Sequence, residues 1–175
     1  MSTLPELSSD DLMRSLMSPV KFDQDNCLFV DLASVKKDGS PFVIPLGFWY
    51  DRQFVYVCMS PERTSVKRLR RDPRVSLSFH NWSFPARYIG MEGRAEEIQD
   101  DADYTMCLKI SHRYPKGHVV DEAEFDRNWL SLGKALFRIH IKRAFGTPFD
   151  YVPENYAETA LLPNERHTLK NKPVG

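Results

Sequence analysis

The residues best suited to chemistry lie between Arg63 and Pro73. There Arg63-Thr64-Ser65-Val66-Lys67-Arg68-Leu69-Arg70-Arg71-Asp72-Pro73 sets two hydroxyls and five cations at an expected strand-to-helix junction. The first backbone N–H groups of a helix have no intrahelical partner and attract anions. Hydroxyls at Thr64 and Ser65 add donors, and the fork of Arg63 can grip a phosphate through two parallel bonds. One reading is therefore a phosphate cradle. The other is a basic helix face in water, which charge runs commonly are. No glycine-rich loop accompanies the run, and composition alone leaves both open.

Other catalytic constellations are missing. There is no Gly-x-Ser-x-Gly elbow for a serine nucleophile. Cys27, Cys58 and Cys107 are odd in number and widely spaced, without a CxxC pair, so free buried thiols are expected rather than zinc ligands or a disulfide. His112 and His118 share an expected basic loop with Arg113 and Lys116, without further ligands at metal spacing. His80 falls on the polar side of an alternating strand, a surface or interface position. Phe48, Trp49, Trp82 and Tyr88 can wall an apolar pocket, although aromatics also build ordinary cores.

The elements that position these groups read as mainly β. Leu12, Met13, Leu16 and Met17 form an apolar stripe on a short helix that Pro19 ends. Strands are predicted at Cys27–Val35, Pro41–Trp49, Phe54–Met59, Val75–His80, Tyr88–Ile98 and Ala135–Arg143. Asp38-Gly39 marks a hairpin turn between the first two. Gly90 and Gly93 mark bulges or close approaches in the fifth. Helices are expected at Val66–Arg71, Asp101–Ser111 and Glu122–Leu132. Six antiparallel strands with tight turns suggest a barrel, which removes exposed edges. Residues 1–150 form the expected barrel domain, and 151–175 an extended tail, either frayed or strapped onto a partner.

Bulk composition narrows the function. The chain has 175 residues, 42% hydrophobic and 27% charged, enough apolar surface for one folded domain. Lysine plus arginine equals aspartate plus glutamate at 24 each, so no nucleic-acid or anionic-membrane surface is implied. No apolar run approaches membrane-spanning length and the start carries no leader-like segment, so a cytoplasmic protein is expected.

Four pieces occur in order: Asp38-Gly39-Ser40-Pro41, Ile44-Pro45-Leu46-Gly47-Phe48, Lys67-Arg68-Leu69-Arg70-Arg71-Asp72-Pro73-Arg74-Val75 and Met91-Glu92-Gly93-Arg94-Ala95. Together they resemble the flavin/deazaflavin oxidoreductases of the pyridoxamine-phosphate-oxidase-like superfamily, over roughly residues 10–145. The resemblance implies a six-stranded FMN-binding split barrel. It also implies a homodimer with two cofactor sites at the interface, holding FMN or the deazaflavin coenzyme F-420, and oxidoreductase activity on a small organic molecule. A non-catalytic flavin- or haem-binding protein on the same barrel is the alternative; haem would need an axial ligand from His80, His112, His118 or His140.

Carried over residue by residue, the resemblance assigns Arg63, Thr64 and Ser65 to the phosphate, with Lys67 or Arg68 as helpers. Val43, Ile44 and Pro45 would line the ring system, mainly by backbone. Met59 and Ser60 would close the site, and Arg87 and Tyr88 would reach in from the partner chain. Two departures matter. Ser65 stands where many relatives carry lysine. Ile44 and Trp49 stand where pyridoxamine-phosphate oxidases carry basic residues, which points away from that substrate. The Pro-Leu-Gly-Phe strand is similar to the deazaflavin-using branch.

Overall fold

In the computed structural model, residues 29–51, 53–80, 88–99, 104–113 and 121–146 are described. Seven strands form one antiparallel sheet: β1 (Val30–Val35), β2 (Pro41–Leu46), β3 (Phe48–Tyr50), β4 (Phe54–Met59), β5 (Arg74–His80), β6 (Tyr88–Ile98) and β7 (Ala135–Gly146). Among the described residues three helices accompany it: α1 (Thr64–Arg71), α2 (Thr105–His112) and α3 (Glu122–Ser131). The order across the sheet is β2-β1-β5-β6-β7-β4-β3. Only Gly47 separates β2 from β3 in sequence, yet they stand at opposite ends of that order. The sheet must therefore curl until its two ends meet at Gly47, giving a split half-barrel.

That connection corrects the expected strand count. One strand was expected over Pro41–Trp49, but the chain changes partner at Gly47: Pro41–Leu46 pairs with β1, and Phe48–Tyr50 with β4. A continuous apolar run hides such a switch, because side-chain period does not report partner identity. The last strand also runs to Gly146, beyond the expected Arg143. The expected helix around Leu12–Met17, the tail from residue 147 and Cys27 lie outside the described residues.

Turns follow their residues. Gly39 adopts a φ of +84°, which glycine tolerates, and Asp38 accepts from the Ser40 N–H and hydroxyl. Gly93 sits at a register shift between β6 and β7, where a Cβ would stand 2.5 Å from the His140 carbonyl oxygen. Only glycine permits that approach.

Alternation sorts the side chains into two cores. Inside the curl, Val30, Leu32, Phe48, Val57, Leu77, Phe79, Met91, Phe137 and Ile139 form a fully buried cluster, closed at one mouth by Val66 and Leu69 of α1. The rings of Phe48 and Phe79 meet edge to face, with centroids 4.9 Å apart. Outside the curl, Tyr56, Cys107, Ile110 and Leu136 form a second cluster, with Trp49, Cys58, Ile98 and Trp129 packed against it. Here α2 and α3 cover β3, β4 and β7; Asp121 caps α3 by accepting from the N–H groups of Ala123 and Glu124.

Cys58 and Cys107 form a disulfide joining β4 to α2, with Cα atoms 5.8 Å apart. This corrects the expectation of free thiols. Forty-nine residues separate the two in sequence, so nothing local signals the pairing. No helix among the described residues is long and apolar enough to cross a membrane.

Candidate cofactor site

The register of β3 against β4 locates an opening. Phe48 lies opposite Val57, Trp49 opposite Tyr56 and Tyr50 opposite Val55. One step further the chain passes Gly47 and turns away into β2, which among the described strands pairs only with β1. Past Val57, β4 runs on through Cys58 and Met59 without β3 beside it, then leads through Ser60 into α1. The barrel is split there. The free edge of β2 borders one side, and the β4–α1 segment borders the other.

Proline placement defines the free edge. Proline lacks an N–H and is confined to strand positions whose N–H would face away from the ladder. Pro41 and Pro45 flank Val43 at the same parity, so by that argument the Val43 N–H points out between two positions without donors. This discourages a further strand while leaving one donor and several carbonyls for a bound group. Val43 is 56% exposed and Pro45 is exposed, whereas Ile44 turns inward and packs against the inner core.

Across the split, α1 begins at its cap residue Arg63. The first helical bonds run from the N–H groups of Val66 and Lys67 to the Arg63 carbonyl, at 3.0 and 3.4 Å. The N–H groups of Thr64 and Ser65 therefore have no helical acceptor, no side chain caps the end, and no acid occupies the first turn. Such an end favours an anion. Ser65 is buried, while Arg63, Thr64 and Lys67 are exposed.

The arginine run divides by task. Arg70 makes a two-pronged pair with Glu97, both contacts at 2.7 Å. Arg71 donates to the Val35 carbonyl at 2.6 Å, and Arg74 binds Asp72, holding that carboxyl down at about 2 through hydrogen bonds. These cations fasten α1 to β1, β5 and β6. Arg63, Lys67 and Arg68 have no ion pair among the described residues. Arg68 lies over the Phe42 ring, 4.0 Å from its centroid, which sets α1 beside β2. Among the described residues its buried Nη1 has no hydrogen-bond partner, and neither has the buried hydroxyl of Ser34, the register partner of Phe42. Buried polar groups are rarely left without partners. Two such atoms at one mouth of the barrel, beside a helix start that favours anions, fit an oxyanion-bearing group. Sequence spacing did not single out Arg68 over Lys67; the Arg68–Phe42 contact does.

The remaining predicted residues are placed as follows. Met59 is 3% exposed within the inner core. Ser60 is half-buried, and its carbonyl accepts from the Arg63 N–H at 3.1 Å. Tyr88 is half exposed opposite His80, three strands from β2, and so stands away from the split of its own chain. Arg87 lies outside the described residues. Phe48 belongs to the inner core and Trp49 to the outer layer. His112 ends α2 rather than sitting in a loop, with its Nε2 2.6 Å from Asp126. His140 contacts Glu96 at 2.6 Å on the outer face. No metal-binding cluster occurs among the described residues.

The sequence model described as pyridoxamine 5'-phosphate oxidase matches residues 23–145. The chain belongs to the pyridoxamine 5'-phosphate oxidase family. No curated protein matches its sequence. Among solved structures, a conserved hypothetical protein of Mycobacterium tuberculosis is similar with a TM-score of 0.59 and 21% identity, covering 83% of this chain and 91% of that one. An F-420 reductase gives 0.56 and 22%, covering 67% and 89%. A FAD-binding protein of Mesorhizobium loti gives 0.53 and 24%, covering 81% and 93%. At such identities the likeness concerns the fold. Membership in the pyridoxamine 5'-phosphate oxidase family agrees with the seven-stranded split barrel.

Proposed function

We propose that this protein is a cytoplasmic oxidoreductase that holds FMN or the deazaflavin coenzyme F-420 in the split between β2 and α1, and acts on a small organic substrate. The observation that carries this reading is the set of donors at α1 that have no acceptor among the described residues. These are Arg63 at the cap, the N–H groups of Thr64 and Ser65, and the buried Nη1 of Arg68. Arg68 sets their helix beside β2, through the Phe42 ring, next to the edge that Pro41 and Pro45 keep free of a further strand. Arg63 and the helix end bind the phosphate, and Arg68 fixes the far side of that subsite. Val43 and the β2 carbonyls orient the ring system through its heteroatoms. When bound, the cofactor supplies hydride chemistry, and the chain supplies position and a dry wall.

The site is completed by a second copy of the chain. No described helix covers the outer face of β2, β1, β5 and β6. Phe29, Val43, Tyr88 and Phe145 expose between 38% and 56% of their surface there. Tyr88 lies opposite His80, and the Phe145 ring lies against Gly90, so the aromatic rings gather at one end of that face. An uncovered apolar face of this kind suits another barrel. A haem reading would require a histidine in the cleft, whereas His112 and His140 are engaged by Asp126 and Glu96 on the outer layer.

The test is equilibrium titration of cofactor-stripped protein with FMN and with F-420, read by absorption and fluorescence alongside sedimentation. Saturable binding of one cofactor by a dimer is expected. A monomer that binds neither would remove the proposal.

A further inference from the structure

The helical layer outside the barrel is lightly buried, and one covalent bond ties it down. Of α2 only Cys107 and Ile110 are buried, and no residue of α3 is more than partly buried. Between β3 and α2 lies an open depression of about 460 Å3, with Trp49 and Leu108 in its lining, so the helix does not close-pack on that strand. An α-helix of eight residues is marginal by itself. No side chain caps α2, and its cap residue Tyr104 has a φ of +52°, a left-handed backbone that residues with a Cβ seldom adopt. Such strain persists only where neighbouring structure holds it.

The Cys58–Cys107 disulfide supplies that hold. It joins β4 to the first turn of α2, close to Tyr104 in the chain. Its two ends are unlike. Cys107 is fully buried in the outer cluster, whereas Cys58 is half-buried. The pairing of β3 with β4 stops at Phe48 and Val57, so no described strand lies beside Cys58 on that side. Reduction of a disulfide needs a path for an attacking thiolate, and bonds with an exposed partner are the labile kind. The inner core, from Val30 and Leu32 to Phe137 and Ile139, is built from the strands and α1 and takes no buried residue from α2. Releasing α2 therefore leaves that core intact.

We propose that the Cys58–Cys107 bond is a reversible redox latch. Oxidised, it clamps α2 onto β4; reduced, it lets α2 lift from the outer cluster while the inner barrel stays folded. The reductant is a dithiol. One of its thiolates attacks the Cys58 sulfur, the bond to Cys107 breaks, and Cys107 leaves and takes up a proton, since apolar surroundings favour the thiol. The second thiolate of the reductant then attacks the mixed disulfide and releases Cys58, which is protonated in turn. The dithiol gives up two electrons and two protons and becomes a disulfide; the two cysteines gain them. The same exchange run backwards closes the latch. The latch does not depend on the cofactor assignment.

The test equilibrates the full-length protein, without denaturant, in mixtures of reduced and oxidised dithiothreitol. The state of Cys58 and Cys107 is read by alkylation and peptide mass mapping, and amide hydrogen exchange is followed in the fully oxidised and fully reduced protein. The bond should open and close reversibly with the dithiol ratio. Exchange in α2 should rise about tenfold or more on reduction, while β1 and β5 change less than about twofold. Cys58→Ser should exchange in α2 as fast as the reduced wild type, with or without reductant. If that variant is misfolded by circular dichroism, the wild type in its two redox states still decides. The proposal is overturned if α2 exchanges at the same rate after complete reduction, or if β1 and β5 speed up as much as α2. It is equally overturned if the bond yields to dithiothreitol only once the barrel is unfolded, or if no Cys58–Cys107 bond forms under excess oxidised glutathione.

Discussion

The sheet has two edge strands, and the molecule finishes them in opposite ways. At the β3 end the edge is covered. Arg113 satisfies the Phe48 carbonyl, α2 and α3 pack over the outer face, and a disulfide fastens α2 to β4. At the β2 end the edge is bare. Two prolines block strand addition, and beside it stand a helix start without a side-chain cap and, among the described residues, three cations without ion pairs and two buried polar atoms without partners. Edges and orphaned donors cost stability unless something satisfies them. The first edge is thus part of the scaffold, and the second is the one that the proposed cofactor and second copy would cover.

The strongest test of that contrast asks whether the inner core alone carries the fold. Phe137→Ala empties a fully buried position inside the curl and should cost about 3–5 kcal/mol, seen as a large fall in the urea midpoint. Trp129→Ala, in the partly buried outer layer, should cost clearly less and speed hydrogen exchange mainly in α2 and α3. Equal global losses would make the two layers one cooperative unit. Next in size is the cross-link. Cys58→Ser should lower stability by about 2–4 kcal/mol, with a mass shift on alkylation showing the freed Cys107 thiol. If the wild type alkylates fully at both positions without reductant, the β3 end is less firmly tied than described.

How legible these two ends were in the sequence also differs. Alternation in Val75–His80 and the Asp38-Gly39 turn gave strands and hairpin because both signals are local. The arginine run gave α1, and its position after a strand suggested an anion site. Pairing across distance was not legible. The change of partner at Gly47, the meeting of Cys58 with Cys107 and the seating of Arg68 on Phe42 each join segments that no short-range period connects. Similarly, five cations in one run look alike in sequence. Only Glu97 and the Val35 carbonyl, brought in from β6 and β1, show that Arg70 and Arg71 fasten the helix, whereas Arg63 has no ion pair among the described residues.

That division of labour gives the next test. Arg63→Ala should weaken cofactor binding by about 1.5–3 kcal/mol, or 10- to 150-fold, with little change in the denaturation midpoint. Arg70→Ala should do the reverse: its pair is half exposed, so the denaturation midpoint should fall only slightly while cofactor affinity holds. Matching effects of the two variants would erase the distinction between fastening and binding cations.

A pH-dependent effect belongs to the covered end. Asp51 accepts from the N–H groups of Phe54 at 2.7 Å and Gln53 at 2.9 Å, and from the Tyr56 hydroxyl at 2.8 Å. Burial pushes the Asp51 carboxyl up, but these three donors outweigh it and hold the group below its usual 3.8. Its contribution is present above that value and fades as the pH falls below it. Burial first, then the hydrogen bond to Asp51, raises the Tyr56 phenol from 10.0 to about 12. A folded-state value above the unfolded one means stability that is full below pH 10 and lost as the pH climbs through about 12. Tyr56→Phe should therefore cost about 1 kcal/mol at neutral pH and flatten the alkaline decline, measured as urea midpoints across that window. An alkaline decline as steep in the variant as in the wild type would mean that the Tyr56–Asp51 bond does not hold β4 to its turn.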